Sequence, residues 1–140
     1  MQNPETSIVT AAYAANKLVE LCHLPAKANG WWTDMQTGHD LTSTNYPKLS
    51  PKRNVGELLC LVHSEVSEAM EGHRKLLMDD KLPHRTMLEV ELADAAIRIF
   101  DMAGGLGLDI GGAIMEKLAY NARREDHKIA NRRNVGGKKF

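Results

Sequence analysis

The chain has few cysteines and aromatic residues, and no net charge. Its 140 residues include two cysteines, two tryptophans, three tyrosines and two phenylalanines. Neither Cys22 nor Cys60 belongs to a C-x-x-C pair or has histidines at ligand spacing, which argues against a zinc site. Both are expected to be reduced residues of the core, because free cysteine behaves as a small buried hydrophobe. A chain of this length can bury the core of one domain without cross-links.

Neither sign of charge dominates. Eighteen basic residues balance eighteen acidic ones, so the composition does not favour a nucleic-acid binder. The charges are nevertheless separated along the chain. Residues 57–80 contain six acids and two bases, a net charge of −4, and residues 117–140 contain eight bases and two acids, a net charge of +6. Two oppositely charged segments that are distant in sequence can contribute to one site.

Long apolar runs and alternating patterns are absent from the sequence. No stretch approaches the roughly 18 apolar residues that a membrane span needs, and the first residues lack the charged and then apolar pattern of a leader. We therefore expect a cytoplasmic protein with no membrane partner. No stretch alternates between apolar and polar residues for long enough to predict a strand.

Helical periodicity is present instead, in four segments at about residues 7–23, 54–78, 86–103 and 109–129. The first helix is expected to end before Pro25. Gly104 and Gly105 are expected to end the third helix, and Asp109 to cap the fourth. The prediction is a single all-α domain over residues 1–140, a four-helix bundle-like arrangement.

Two stretches fall outside these helices, a long loop at about residues 24–53 and a basic tail at about residues 130–140. A loop of this length within a compact domain is usually functional or disordered. It contains Trp31 and Trp32 in the sequence GWWTD. A tryptophan here can stack on a nucleobase or can plug the core, and both interpretations stay open.

Carboxylates occur in pairs on the second and third predicted helices. Glu65 and Glu68 form an E-x-x-E pair, and Glu91 and Asp94 form an E-x-x-D pair. On a helical wheel Glu65 lies at the edge of an apolar arc that contains Leu58, Leu59, Val62, Val66, Ala69 and Met70. The third helix is apolar nearly all round, apart from a stripe formed by Glu91, Asp94, Arg98 and Asp101. If a short link at Pro83 makes the two helices antiparallel, the two pairs converge.

Two interpretations of these acids are open. Such pairs are frequent on exposed helices, where Lys75 or Arg98 could be ion-pair partners. An ionised carboxylate that borders apolar surface is costly, however, unless it is paired or binds a metal. Four clustered carboxylates suit Mg²⁺, with Mn²⁺ as a substitute, and leave room for phosphate oxygens. We expect that ion to be held by Glu65, Glu68, Glu91 and Asp94.

A basic face is predicted on the fourth helix. Lys117, Asn121 and Arg124 are spaced at i, i+4 and i+7. A polyphosphate needs basic donors such as the lysine and the arginine for its distal charge, and the asparagine can hydrogen-bond the sugar or the base. The alternative for the basic residues is that they complement the helix dipole.

The E-x-x-E pair at 65–68, the E-x-x-D pair at 91–94 and the sequence KLAYNARR at 117–124 resemble the MazG-like branch of the all-α nucleoside triphosphate pyrophosphohydrolases. The resemblance covers about residues 54–128. It implies that the four acids bind Mg²⁺ and that a ribo- or deoxyribonucleoside triphosphate is cleaved between its α- and β-phosphates. It also implies a homodimer or homotetramer whose neighbouring subunits complete the fold and the site.

Metal-assisted hydrolysis is the expected chemistry, with the four acids as catalytic residues. Glu68 is the candidate base, and Lys117 or Arg124 would stabilise the departing pyrophosphate. No Gly-x-x-x-x-Gly-Lys loop is present to hold a γ-phosphate for transfer. The alternative is a non-catalytic helical module that binds nucleic acid or a protein through its basic C-terminal tail. The enzyme needs the four carboxylates, whereas the module needs none of them.

Overall fold

A computed structural model describes residues 4–139, and side chains from residue 9 onward. Its helices are α1 (Pro4–Ala28), α2 (Val55–Lys75), α3 (Met87–Leu106), α4 (Ile110–Ala122) and α5 (Ile129–Arg133), with a 3₁₀ turn at Glu125–His127. The chain is 63% helical and forms no strand within the described residues, which confirms the all-α prediction. None of the helices in residues 4–139 has the length and apolar content of a membrane span.

The chain divides into two compact units. The first consists of Met1–Asn16 and Asp109–Phe140, and the second of Lys17–Leu108. The second unit contains α2, α3 and the C-terminal part of α1, and therefore all four predicted acids.

Helices α2 and α3 pack against each other as an antiparallel pair in the second unit. Each begins at a capping side chain, Asn54 for α2 and Thr86 for α3, which accepts a hydrogen bond from a backbone N–H of the first turn. Near the C-terminal end of α2, a side-chain carbon on Gly72 would lie 2.8 Å from Met87 Cβ, so glycine permits the close approach. Glu65, two turns earlier on α2, meets Arg98 two to three turns later on α3, which fixes the opposite helix directions.

Helix α1 passes through Pro25, so the prediction that it ends before this residue is wrong. A proline inside a helix removes one backbone donor, but its own carbonyl can still accept. The Asn29 N–H donates to the Pro25 carbonyl oxygen at 2.9 Å. The helix therefore continues past Pro25 to Ala28. Gly30 then turns the chain with a φ of 84°.

Gly104 and Gly105 lie inside α3, so the prediction that they end the helix is also wrong. The helix ends at Leu106, and Gly107 adopts the left-handed conformation with a φ of 67°. A side-chain carbon at Gly104 would lie 2.5 Å from His23 Cβ, and one at Gly105 would overlap the indole of Trp32. The two glycines make room for neighbouring side chains.

The irregular segment comprises residues 29–54 and forms hydrogen bonds with the rest of the second unit. The Leu41 N–H donates to the Trp32 carbonyl at 2.8 Å, and the Ser43 N–H donates to the Gly105 carbonyl at 2.7 Å. The segment therefore has a specific conformation, and the backbone of α3 is one of its anchors.

In the first unit, Asp109 caps α4 as predicted. Its Oδ1 accepts hydrogen bonds from the Gly112 N–H at 3.0 Å and from Asn16 Nδ2 at 2.8 Å. Asn16 Oδ1 in turn accepts from the Gly111 N–H at 2.9 Å. Helix α4 is shorter than predicted because it ends at Ala122. The basic tail is also partly helical, since it contains most of α5.

Both cysteines are free, but only one is partly in the core. Cys22 is half-buried, and its pKa is raised by burial and by the charge of Asp101. Cys60 is exposed on α2, so the prediction of a core position is wrong for this residue.

Candidate functional site

Three carboxylates from α2 and α3 converge in the second unit. Glu65, Glu91 and Asp94 each place one oxygen within 4.8 Å of the others, and we call them the acid cluster. Glu65 and Glu91 are 6% and 8% exposed, whereas Asp94 is exposed. Because the helices are antiparallel, residues 26 positions apart in sequence face each other. The structure thus brings together three of the four predicted ligands.

Glu68, the fourth predicted ligand, is exposed and lies outside this set of three. It is nevertheless close enough to act on the cluster, since its charge is one of the causes that raise the pKa of Glu91. Glu68 therefore borders the acid cluster from its solvent side.

The surroundings of Glu91 disfavour the charged form of its carboxyl group. Burial raises its pKa, as do the charge of Glu68, a hydrogen bond with Glu65 and the charges of Glu65 and Asp94. Arg98 forms an ion pair within the cluster, but with Glu65. Among the described residues no basic side chain forms an ion pair with Glu91 itself. Lys81 is close enough for the charge of Glu91 to contribute to its raised pKa, but its ion pair is with Asp80. A buried carboxylate with like charges around it and no paired cation favours the binding of a metal ion.

The interpretation of the acids as ion-pair partners holds in part, because Arg98 pairs with Glu65. Its Nε lies 2.5 Å from Glu65 Oε1, and its side chain is 42% exposed. Lys75, the other candidate, pairs with Glu71 on α2, at 2.5 Å, and with none of the four acids. One guanidinium thus offsets one charge of a cluster that contains three.

A cavity of about 550 Å³ lies beside the acid cluster, within the second unit. Asp94 and Arg98 belong to its lining, so cavity and cluster are adjacent. Apolar walls come from α2, α3 and the irregular segment, with the side chains of Leu58, Leu61, Ile97 and Trp31. The other half of the lining is charged and consists of Arg53, Glu57, Asp94, Arg98 and Asp101. A cavity of this size that combines apolar walls with polar groups is typical of a small-molecule site.

The two tryptophans have opposite environments. Trp31 lines the cavity and is 70% exposed, so one face remains available to a ligand. Trp32 is fully buried, and its Nε1 donates to Asp101 Oδ1 at 2.7 Å. Of the two interpretations that the sequence left open, the core plug is therefore the one that holds for Trp32. Arg53 connects the two, because it donates to the Trp31 carbonyl at 2.6 Å and lies 5.4 Å from the Trp32 ring.

Several residues of the cavity were not predicted from the sequence. Arg53 gave no signal, because it lies outside the predicted helices. Asp101 was part of the polar stripe on α3 but had no assigned role. Its Oδ1 also interacts with His23 Nδ1 at 2.8 Å, although the two residues are 78 positions apart. Such a pairing has no periodic signature.

The predicted basic face lies in the first unit and is only partly formed. Lys117 and Asn121 are on α4, and Asn121 Oδ1 is shielded from solvent with no hydrogen-bond partner among the described residues. Arg124 lies beyond the end of α4, so the prediction that it shares the helical face is wrong. It forms a two-point pair with Asp126, at 2.9 and 2.5 Å. The role of these residues towards a substrate stays a prediction.

Comparisons of the chain with protein-family models, with curated proteins and with solved structures find no match. A function is therefore inferred from the geometry of these side chains.

Proposed function

We propose that the protein is a Mg²⁺-dependent nucleoside triphosphate pyrophosphohydrolase of the MazG-like all-α type. Its products would be a nucleoside monophosphate and pyrophosphate. The observation that carries the proposal is the acid cluster, above all the buried Glu91 with like charges around it and no ion-pair partner in the described chain. A non-catalytic module that binds through its tail would not need a buried carboxylate at Glu91.

The donor set fits a hard divalent cation. Glu65, Glu91 and Asp94 would hold it, with Glu68 at the solvent side as the fourth ligand, and all four offer only oxygen. Oxygen-only sites favour Mg²⁺ or Mn²⁺ over softer metals. When bound, such an ion neutralises phosphate charge and lowers the pKa of a water molecule.

The chain's own residues would then perform two tasks, one towards the attacking water and one towards the substrate. Glu68, which is exposed, is the proposed acceptor of a proton from the attacking water, as the alternative to binding the ion directly. Lys117 or Arg124 is the proposed partner of the departing pyrophosphate, and Asn121 that of the sugar or base. Arg124 pairs with Asp126 in this structure. The absence of a loop that grips a γ-phosphate favours attack at the α-phosphorus.

The cavity would hold the nucleobase. Trp31 offers an exposed aromatic face, and base stacking on such a face contributes about 1–3 kcal/mol. Leu58, Leu61 and Ile97 provide the apolar surroundings. Because Asp94 belongs to both cavity and cluster, a base bound here would have its phosphates beside the carboxylates.

We also propose that the protein is a homo-oligomer. Of the predicted apolar arc on α2, Leu58 and Ala69 are buried, but Leu59, Val66 and Met70 are 47%, 48% and 59% exposed. These three recur at i, i+7 and i+11, which places them on one face. A contiguous apolar face is costly in water and is typical of a protein interface. A second copy of this chain would cover it, as the resemblance implies.

Product analysis tests the hydrolase directly. A panel of ribo- and deoxyribonucleoside triphosphates with Mg²⁺ is expected to release pyrophosphate, and in ¹⁸O-water the label is expected in the monophosphate, because attack occurs at the α-phosphorus. Glu71→Gln is the matched control: Glu71 lies one turn beyond Glu68, outside the cluster, and should not affect turnover. A nucleoside diphosphate and inorganic phosphate as first products would refute the proposal.

Arg98→Met tests the relation between the ion pair and the metal. Removing the guanidinium frees Glu65, so the apparent affinity for Mg²⁺ in titration calorimetry is expected to rise. The ion-free protein is expected to lose about 1 kcal/mol of stability, since the pair is partly exposed. Arg74→Met, which removes an exposed partner of Glu71, should change neither quantity. Weaker Mg²⁺ binding by Arg98→Met would show that the arginine supports the site and does not compete for it.

A further inference from the structure

Asp101 is a carboxylate in the lining of the cavity to which the proposed hydrolysis assigns no task. Its Oδ1 accepts two hydrogen bonds, from Trp32 Nε1 at 2.7 Å and from His23 Nδ1 at 2.8 Å. Neither donor lines the cavity, whereas Asp101 does. Its Oδ2 accepts no hydrogen bond from any residue in the described range. The carboxylate is thus held from behind through one oxygen, and the other is available to a ligand.

The orientation of this carboxylate is fixed. Trp32 is fully buried, and the His23 side chain is 12% exposed. Their rings meet edge to face, with centroids 5.4 Å apart, and Gly105 and Gly104 leave room for them. Two rigid aromatic donors on one oxygen prevent the carboxylate from rotating, so the free oxygen is a preorganised acceptor.

We propose that Asp101 selects nucleobases that carry an exocyclic amino group, namely cytosine, adenine and guanine, over uracil and thymine. The inference rests on the proposed function, because it takes the ligand to be a nucleoside triphosphate whose base enters the cavity. An amino group donates to the free oxygen. The N3–H of uracil or thymine is flanked by two carbonyl oxygens, which a carboxylate repels.

The energetic reason is the cost of an unpaired group. A carboxylate oxygen in the cavity loses its water when a base enters and, since neither Arg53 nor Arg98 pairs with Asp101, regains a partner only from a donor on the base. A site built to hydrogen-bond one group rejects analogues that lack it more strongly than an apolar pocket rejects a change of size. We expect amino-bearing substrates to be preferred about 10- to 100-fold, the range for a hydrogen bond to a charged group.

Asp101→Asn is the decisive variant, because it reverses the chemistry of the free position. The amide oxygen can continue to accept from Trp32 and His23, which places the NH₂ donor where the free acceptor was. The preference is then expected to shift towards uracil and thymine. Dissociation constants of dCMP, dAMP, dUMP and dTMP are measured by calorimetry, and kcat/KM is measured for the matching triphosphates. Asp80→Asn makes the same change at a 79% exposed carboxylate and should leave the preference unchanged.

The wild-type protein tests the inference even if the variant does not fold. Equal affinity of wild type for dCMP and dUMP, with hydrolysis of both triphosphates, would overturn the role of Asp101 and leave the hydrolase standing. Selective binding of the amino-bearing monophosphates without any hydrolysis would support the role of Asp101 and overturn the hydrolase. A folded Asp101→Asn protein with the wild-type preference would also refute the inference.

Discussion

Glu91→Gln is expected to abolish pyrophosphate release and, at neutral pH, to raise the melting temperature of the ion-free protein. The loss of activity should exceed about 100-fold, because even outer partners of metal ligands contribute 10- to 100-fold. The gain in stability comes from removing a charge that burial and three neighbouring carboxylates disfavour. Function and stability thus oppose each other at this residue.

The contribution of Glu91 to the stability of the folded protein depends on pH. Glu91 has a pKa above its ordinary value of 4.5 in the folded protein, whereas the unfolded chain has the ordinary value. Below pH 4.5 the carboxyl group is mostly protonated in both the folded and the unfolded protein, so it does not lower the stability. As the pH rises through the interval between the two pKa values, the unfolded state releases its proton first, so the folded protein loses stability. The loss remains at higher pH.

Thermal unfolding from pH 4 to pH 8 checks this, with and without Mg²⁺. Without the ion, wild type and Glu91→Gln should melt alike near pH 4, and the variant should melt higher at pH 7. Mg²⁺ or Mn²⁺ should stabilise the wild type by mass action and the variant much less. Glu71→Gln should follow the wild type throughout. If Glu91→Gln melts below the wild type at neutral pH without the ion, the carboxylate has a partner that the proposal omits.

Gly105→Val is expected to have the largest effect on stability, a loss of about 3 kcal/mol or more. A side chain at this position overlaps the indole of Trp32, which is fully buried and cannot yield within the core. Displacing the ring would also break its hydrogen bond to Asp101 and disturb the bond from Ser43 to the Gly105 carbonyl. Overpacking alone costs about 1–3 kcal/mol, and loss of a packed aromatic costs about 3–5 kcal/mol.

Chemical denaturation and tryptophan fluorescence measure the two parts of this effect. The emission of the folded variant should shift to longer wavelength as Trp32 becomes hydrated. Ala93→Val is the control: it introduces the same side chain at an exposed position of α3 and should cost only a few tenths of a kcal/mol. Wild-type stability together with unshifted emission would mean that Trp32 can repack at no cost.

The α2–α3 pair was predictable because its signals are local. Apolar residues recur at helical spacing, Asn54 and Thr86 are capping residues, and the acidic pairs sit at i and i+3 on each helix. The helical wheel could not show which part of the apolar arc is covered. Val66 has the same hydropathy as a buried valine, but 48% of its surface is exposed in the described chain.

The cavity was less predictable because its parts are held by contacts between distant residues. Gly104 and Gly105 resemble a helix stop in sequence, but their role is set by side chains about seventy to eighty positions earlier. Trp31 and Trp32 are adjacent and chemically identical, and only tertiary packing makes one a wall and the other a plug. The ion pair of Arg98 with Glu65 also depends on tertiary contacts, so the sequence could not show whether the arginine or a metal ion neutralises this carboxylate.

The contacts of the acid cluster and those of Asp101 span different sequence separations, and this difference affects the order in which they form during folding. The pair between Glu65 and Arg98 closes 33 residues, whereas the bonds of Asp101 to Trp32 and His23 close 69 and 78. The longer closures cost about 0.7 kcal/mol more in chain entropy. Contacts of shorter range generally form earlier. The acid cluster can therefore assemble as soon as α2 and α3 pair, and the carboxylate of Asp101 acquires its fixed orientation only when the segment after α1 has docked.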